Sequence, residues 1–116
     1  ENALNELAEL NKVQKGMKRS NKTGGTSFHG VTLIATPQQL INALGEPDFF
    51  GNDGSDKTNM DYSLETENGI PFTIYDWKEY QPLHRFTNYE FHIGALDHSQ
   101  SVEAKNEVLK LLTNSN

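Results

Sequence analysis

The chain carries four histidines, His29, His84, His92 and His98, the side chains best suited to move protons or bind metal near neutral pH. His92 and His98, with Asp97 beside the second, supply the right ligand types. Their spacing matches no compact zinc motif, and no HExxH pair is present, so no metal centre is expected. The run Asn52-Asp53-Gly54-Ser55-Asp56 has the composition of a calcium loop. An EF-hand loop starting at Asp48, however, would put Asn59 where a bidentate carboxylate is needed. There is no cysteine, which excludes thiolate chemistry and disulfides. No GxSxG elbow or GxxxxGK[ST] phosphate loop occurs. Carboxylate pairs such as Asp76 and Glu79 are what an acidic chain produces by chance. No catalytic residue and no cofactor is therefore expected, and a small His- or metal-dependent phosphoesterase is the alternative held in reserve.

The segment with most chemical content runs from Ile74 to Phe86 and holds the sole tryptophan. Tyr75 and Trp77 are two residues apart, on one side of an extended chain. Lys78, Tyr80, His84 and Arg85 follow within a short stretch around Pro82. Aromatic rings with lysine or arginine make interface hot spots and stacking pockets. Trp77 suits a core plug between sheet and helix as well as a surface anchor. The expected binding set is Tyr75, Trp77, Lys78, Tyr80, His84 and Arg85, with the Phe49–Phe50 pair next in line.

From Gly30 to Ala95 the chain resembles a small uncharacterised bacteriophage protein type. The resemblance rests on Phe72-Thr73-Ile74-Tyr75-Asp76-Trp77-Lys78-Glu79-Tyr80, on Phe91-His92-Ile93-Gly94 and on Leu44-Gly45-Glu46-Pro47. It implies a compact sheet-and-helix domain. Its implied role is a phage accessory or anti-defence inhibitor that blocks a host protein or sequesters a small anionic ligand in the host cytoplasm. The run Thr36 to Tyr62 is also similar to the repeat unit of β-lactamase-inhibitor-like folds, which supports an α+β class.

The elements that must position these residues follow from periodicity. Residues 2–19 predict a helix with Ala3, Leu7, Leu10 and Met17 in one stripe and Leu4 and Val13 on its flanks. So narrow a stripe fits the protein's own body or a seam with a second copy. Leu4, Leu7, Leu10, Val13 and Met17 are the expected oligomerisation residues. The polar, glycine-containing run 20–27 reads as a flexible connector. Residues 28–35 predict a strand. Thr36-Pro37 opens a helix over 37–44 that Gly45 and Pro47 close. Residues 48–58 read as a loop, 59–66 and 70–78 as strands of a hairpin turning at Glu67-Asn68-Gly69, and 89–95 as a further strand. A last helix spans 101–113 with Ser101 as its cap.

The fold expected is α+β: an antiparallel sheet of three to four strands, helices packed on one face, and an N-terminal helix. Two regions result, 1–27 as helix and connector and 28–116 as the α+β domain. The length of 116 residues suits one core. Residues 1–22 carry a net +2 and the remainder −8, which sum to the formal −6. An acidic body repels phosphate backbones, so general nucleic-acid binding is not expected. No apolar run reaches membrane-spanning length, and no membrane association is expected. A third class of function, a structural or assembly protein joined through the first helix, follows from the stripe alone.

Overall fold

The computed structural model of the protein describes residues 17–51 and 57–115. The order is β1 (Lys18–Arg19), β2 (Ser27–Ala35), α1 (Pro37–Leu44), β3 (Phe49–Phe50), β4 (Met60–Glu65), β5 (Pro71–Tyr75), β6 (Tyr89–Ala95) and α2 (His98–Ser115). The strands form a single antiparallel sheet in the order β1-β4-β5-β6-β2, with β3 on β4 beside β1. The class is α+β, as the residue pattern predicts.

The sheet has six strands rather than three to four. The two extra strands are only two residues long, too short to show a period. They exist because the outer edge of β4 offers unpaired backbone groups. Lys18 and Arg19 pair there with Glu65 and Leu64, and Phe49 and Phe50 with Asp61 and Met60. The expected N-terminal helix is corrected at its end. Residues 2–16 lie outside the described residues, but Lys18–Arg19 is strand, and Met17 is buried in the core at 2% exposure. Arg19 then pairs with Asp48 at 3.2 Å, donates to the Glu46 carbonyl and sits over the Tyr62 ring.

α1 occupies its predicted span. The Thr36 hydroxyl accepts from the Gln39 N–H at 3.0 Å, and the Gln39 side chain accepts from the Thr36 N–H at 2.9 Å. These two bonds satisfy the Thr36 and Gln39 N–H groups that the helix itself leaves unpaired, and Pro37 between them has no N–H to satisfy. α2 begins three residues earlier than predicted. Asp97, not Ser101, is the cap, since its carboxylate accepts from the Gln100 N–H at 2.8 Å. Ser101 is buried inside the helix, with its hydroxyl on the Asp97 carbonyl at 2.8 Å.

One face of the sheet carries Leu33, Phe91, Ile93, Phe72, Ile74, Tyr62 and Leu64, all buried. Register places them together: Leu33 lies opposite Phe91, Ile74 opposite Ile93 and Tyr62, and Leu64 opposite Phe72. α2 packs on β2, β6 and α1, adding Ala104, Val108 and Leu111 to the same core, and α1 adds Leu40, Ala43 and Leu44. The helices therefore cover one face, and the other carries polar and aromatic side chains together with the exposed Ile34 of β2. Among the described residues no helix is long and apolar enough to cross a membrane.

Candidate functional site

Period-two alternation sends every second residue to the open face. Two rows cross it. Asp61, Tyr75, His92 and Thr32 lie in register across β4, β5, β6 and β2, and Ser63, Thr73, Gly94 and Phe28 form the row beside them. Between Phe28 and Thr32 the ladder of β2 slips against β6, at Gly30, whose φ of +85° suits glycine. The slip brings Phe28 over His92, with ring centres 3.9 Å apart and planes 14° from parallel.

His92 is the centre of the cluster. Trp77 stacks toward it at 6.1 Å and 25°, Tyr75 meets it edge-on at 5.4 Å, and Tyr75 and Trp77 meet each other at 6.1 Å. Phe28 and Trp77 remain 42% and 41% exposed. Trp77 is thus a surface ring and not a core plug. The ammonium groups of Lys78 and Lys57 lie 5.5 and 5.8 Å from the Trp77 ring centre, within cation–π range.

The chain leaving β5 is held in a costly shape to present these groups. Lys78 and Tyr80 have φ of +57° and +55°, the left-handed region that side chains disfavour. Three anchors hold it there. The Lys78 N–H donates to the Lys57 carbonyl at 2.7 Å, Asp76 is buried on hydrogen bonds from Asn59 and Met60, and the Asn59 side chain donates to the Gln81 carbonyl at 3.0 Å.

Beside the rings lies a groove of about 360 Å³ lined by Thr26, Ser27, Thr58, Asp61, Ser63, Thr73 and Tyr75. Burial, followed by the Asp48 and Asp76 charges, raises the Asp61 carboxyl above its ordinary range. Burial also raises the Tyr75 phenol. It lowers His92 below its ordinary value, against a smaller opposing pull from Glu90. The cluster at neutral pH therefore presents an uncharged imidazole as one more flat ring.

The six expected binding residues do not form one patch. Tyr75, Trp77 and Lys78 come together on the open face. Tyr80 is exposed in the strained turn that follows. His84 is exposed, its backbone N–H donating to the Tyr89 hydroxyl at 2.8 Å. Arg85 leaves the patch altogether. Its carbonyl accepts from the Gln38 N–H of α1 at 3.0 Å, and the residue lines a separate pocket with Pro37, Ile41, Phe50 and Leu83. Of the oligomerisation set, Met17 is in the core, and Leu4, Leu7, Leu10 and Val13 lie outside the described residues.

Residue spacing misses Phe28, His92 and Lys57. The alternation of 89–95 puts His92 on the face opposite Phe91, which is the signal available for it. Phe28 needs the slip at Gly30, and Lys57 needs its cross-loop bond to Lys78; neither shows in spacing. Set against known protein families and curated proteins, the chain matches no family model and no curated sequence.

Proposed function

We propose that the protein is a stoichiometric binding protein whose open sheet face takes a small anionic ligand bearing a flat ring. One observation carries this reading: the half-exposed Trp77 ring, with two lysine ammonium groups beside it, in a cluster with Phe28, Tyr75 and His92. A flat ring stacks on such side chains, for about 1–3 kcal/mol when the ring is a base. An anionic substituent beyond the ring then meets Lys57 or Lys78. The remaining charge of the body is strongly acidic, which disfavours long polyanions and leaves a ligand of few charges.

This face supports binding over the phosphoesterase alternative, because His92 is packed as a ring among rings and held toward its neutral form. Blocking of a host protein rests on the resemblance to phage proteins. The paired rings and ammonium groups favour the small ligand. Assembly through Leu4, Leu7, Leu10 and Val13 is a separate proposal that leaves this face unchanged.

Trp77 is the sole tryptophan, so its fluorescence reports the site directly. Titration with adenosine monophosphate, adenosine and ribose phosphate tests the reading. The monophosphate should quench saturably at the lowest concentration, with both halves weaker. Equal weakness of all three, with no saturation, would overturn it.

A further inference from the structure

The displacement of Arg85 from the aromatic cluster exposes a second site on the helix-covered side. A pocket of about 260 Å³ is walled by Pro37 and Ile41 of α1, Phe50 of β3, and Leu83 and Arg85 of the loop before β6. Phe50 lies opposite the buried Met60 in the sheet ladder, which directs it to the helix side. Four of the five lining residues are apolar and the fifth is an arginine.

Three features suit this pocket to one kind of occupant. Among the described residues Arg85 forms no ion pair, so its charge is available to a ligand. Its backbone is fixed on both sides: the Arg85 carbonyl is held by the Gln38 N–H, the His84 N–H by the Tyr89 hydroxyl, and Leu83 is buried. A guanidinium presented from a fixed backbone loses less freedom on binding. Finally, Pro37 opens α1 with no acidic residue in its first turn, so the positive end of the helix adds to the field of Arg85.

We infer that this pocket binds a small apolar monocarboxylate, a free acid whose hydrocarbon part fills the space between Ile41, Phe50 and Leu83 while its carboxylate pairs with Arg85. A planar guanidinium matches a carboxylate through two parallel N–H donors. One cation in an apolar wall balances one negative charge, and a phosphate dianion would keep an uncompensated charge there. The volume lies below the usual range for drug-sized ligands, which sets the occupant at fragment size. The site is independent of the open face: no residue of the aromatic cluster lines it.

The test is an amide-resolved NMR titration of the full chain with hexanoate and, separately, with hexanol, neither of which carries a ring for Trp77. Hexanoate should give saturable shifts at Ile41, Phe50, Leu83 and Arg85, with hexanol at least about tenfold weaker. Arg85→Gln should lower hexanoate to the level of hexanol and leave hexanol unchanged, a pattern that loss of structure would not give. Equal affinities for the two probes, or no saturable shift at these residues, overturns the inference. So does a response to a peptide ending in a free phenylalanine carboxylate but not to hexanoate, which would assign the pocket to a polypeptide end.

Discussion

Asn59 gives its backbone N–H to one carboxylate oxygen of Asp76 at 2.7 Å and its side-chain amide to the other at 3.0 Å. The Met60 N–H adds a third bond at 3.0 Å. Asp76 is fully buried, and among the described residues no cation pairs with it. A buried carboxylate is tolerable when donors take up its lone pairs, and these three do so. The pair joins the start of β4 to the end of β5, at the root of the loop carrying Trp77. Asp76→Ala leaves three donors without their acceptor and should destabilise by about 2–5 kcal/mol. Urea unfolding checks this, and an unmoved midpoint would contradict it.

The hairpin between β4 and β5 turns as the Glu67-Asn68-Gly69 signal predicts, but with one positive φ rather than two. Gly69 has φ of +88°, and its N–H closes the turn on the Thr66 carbonyl at 2.9 Å. A Cβ at Gly69 would meet no atom within 4 Å, so the main resistance to substitution is the backbone conformation. Gly69→Val should cost on the order of 1–3 kcal/mol, and Gly69→Asn less, since asparagine tolerates that region. Equal melting temperatures for the two variants would argue against a backbone cause.

How much was legible depends on whether a residue's partner is local. α1 was, because Thr36, Pro37, Gln39 and Gly45 all act within one turn of the helix. β6 was, because Phe91 and Ile93 alternate with Glu90 and His92. β1 was not, because nothing within Met17-Lys18-Arg19 separates a helix end from a strand; the edge of β4 decides it. The site divides in the same way. Tyr75 and Trp77 are neighbours in sequence and in space, whereas Phe28 and His92 join them only through sheet register.

That division changes what truncation should do. The residue pattern predicts that removing residues 1–22 leaves the body intact. The structure puts Met17 in the core and Arg19 on Asp48 and Tyr62. Removing 1–22 should therefore destabilise by about 2–5 kcal/mol through the lost methionine alone. Removing 1–16 keeps both contacts. Thermal unfolding of the two truncated chains should separate them, and coincident curves would place no weight on Met17.

His92 makes stability depend on pH with a defined sign. Burial lowers its folded-state value below the ordinary 6.5, so near that pH the unfolded chain binds more protons. Stability from this group is full above about pH 6.5 and falls as the pH drops toward the folded value, below which the loss is constant. The raised Asp61 carboxyl acts with the opposite sign: near its folded value the native state binds the extra proton, so acidification favours folding there. His92→Phe keeps a ring against Phe28 and removes the imidazole. Its stability should lose the slope just below pH 6.5, measured by urea unfolding at a series of pH values. A slope equal to that of the parent would assign the effect to other groups.

The separation of Arg85 from Trp77 gives the sharpest test of the open face. If rings and ammonium groups bind there together, Lys78→Ala should weaken a ring-bearing anion by roughly 1–2 kcal/mol. Phe28→Ala should weaken it by about 0.5–1.5 kcal/mol, since Phe28 holds His92 in the stack. Arg85→Ala should change nothing at this face, because the residue lines the pocket beside α1. Lys78 and Arg85 are both exposed, so neither change threatens the core. Trp77 fluorescence with adenosine monophosphate reads all three variants on one scale. A loss on Arg85→Ala equal to that on Lys78→Ala would mean that the two surfaces act as one site.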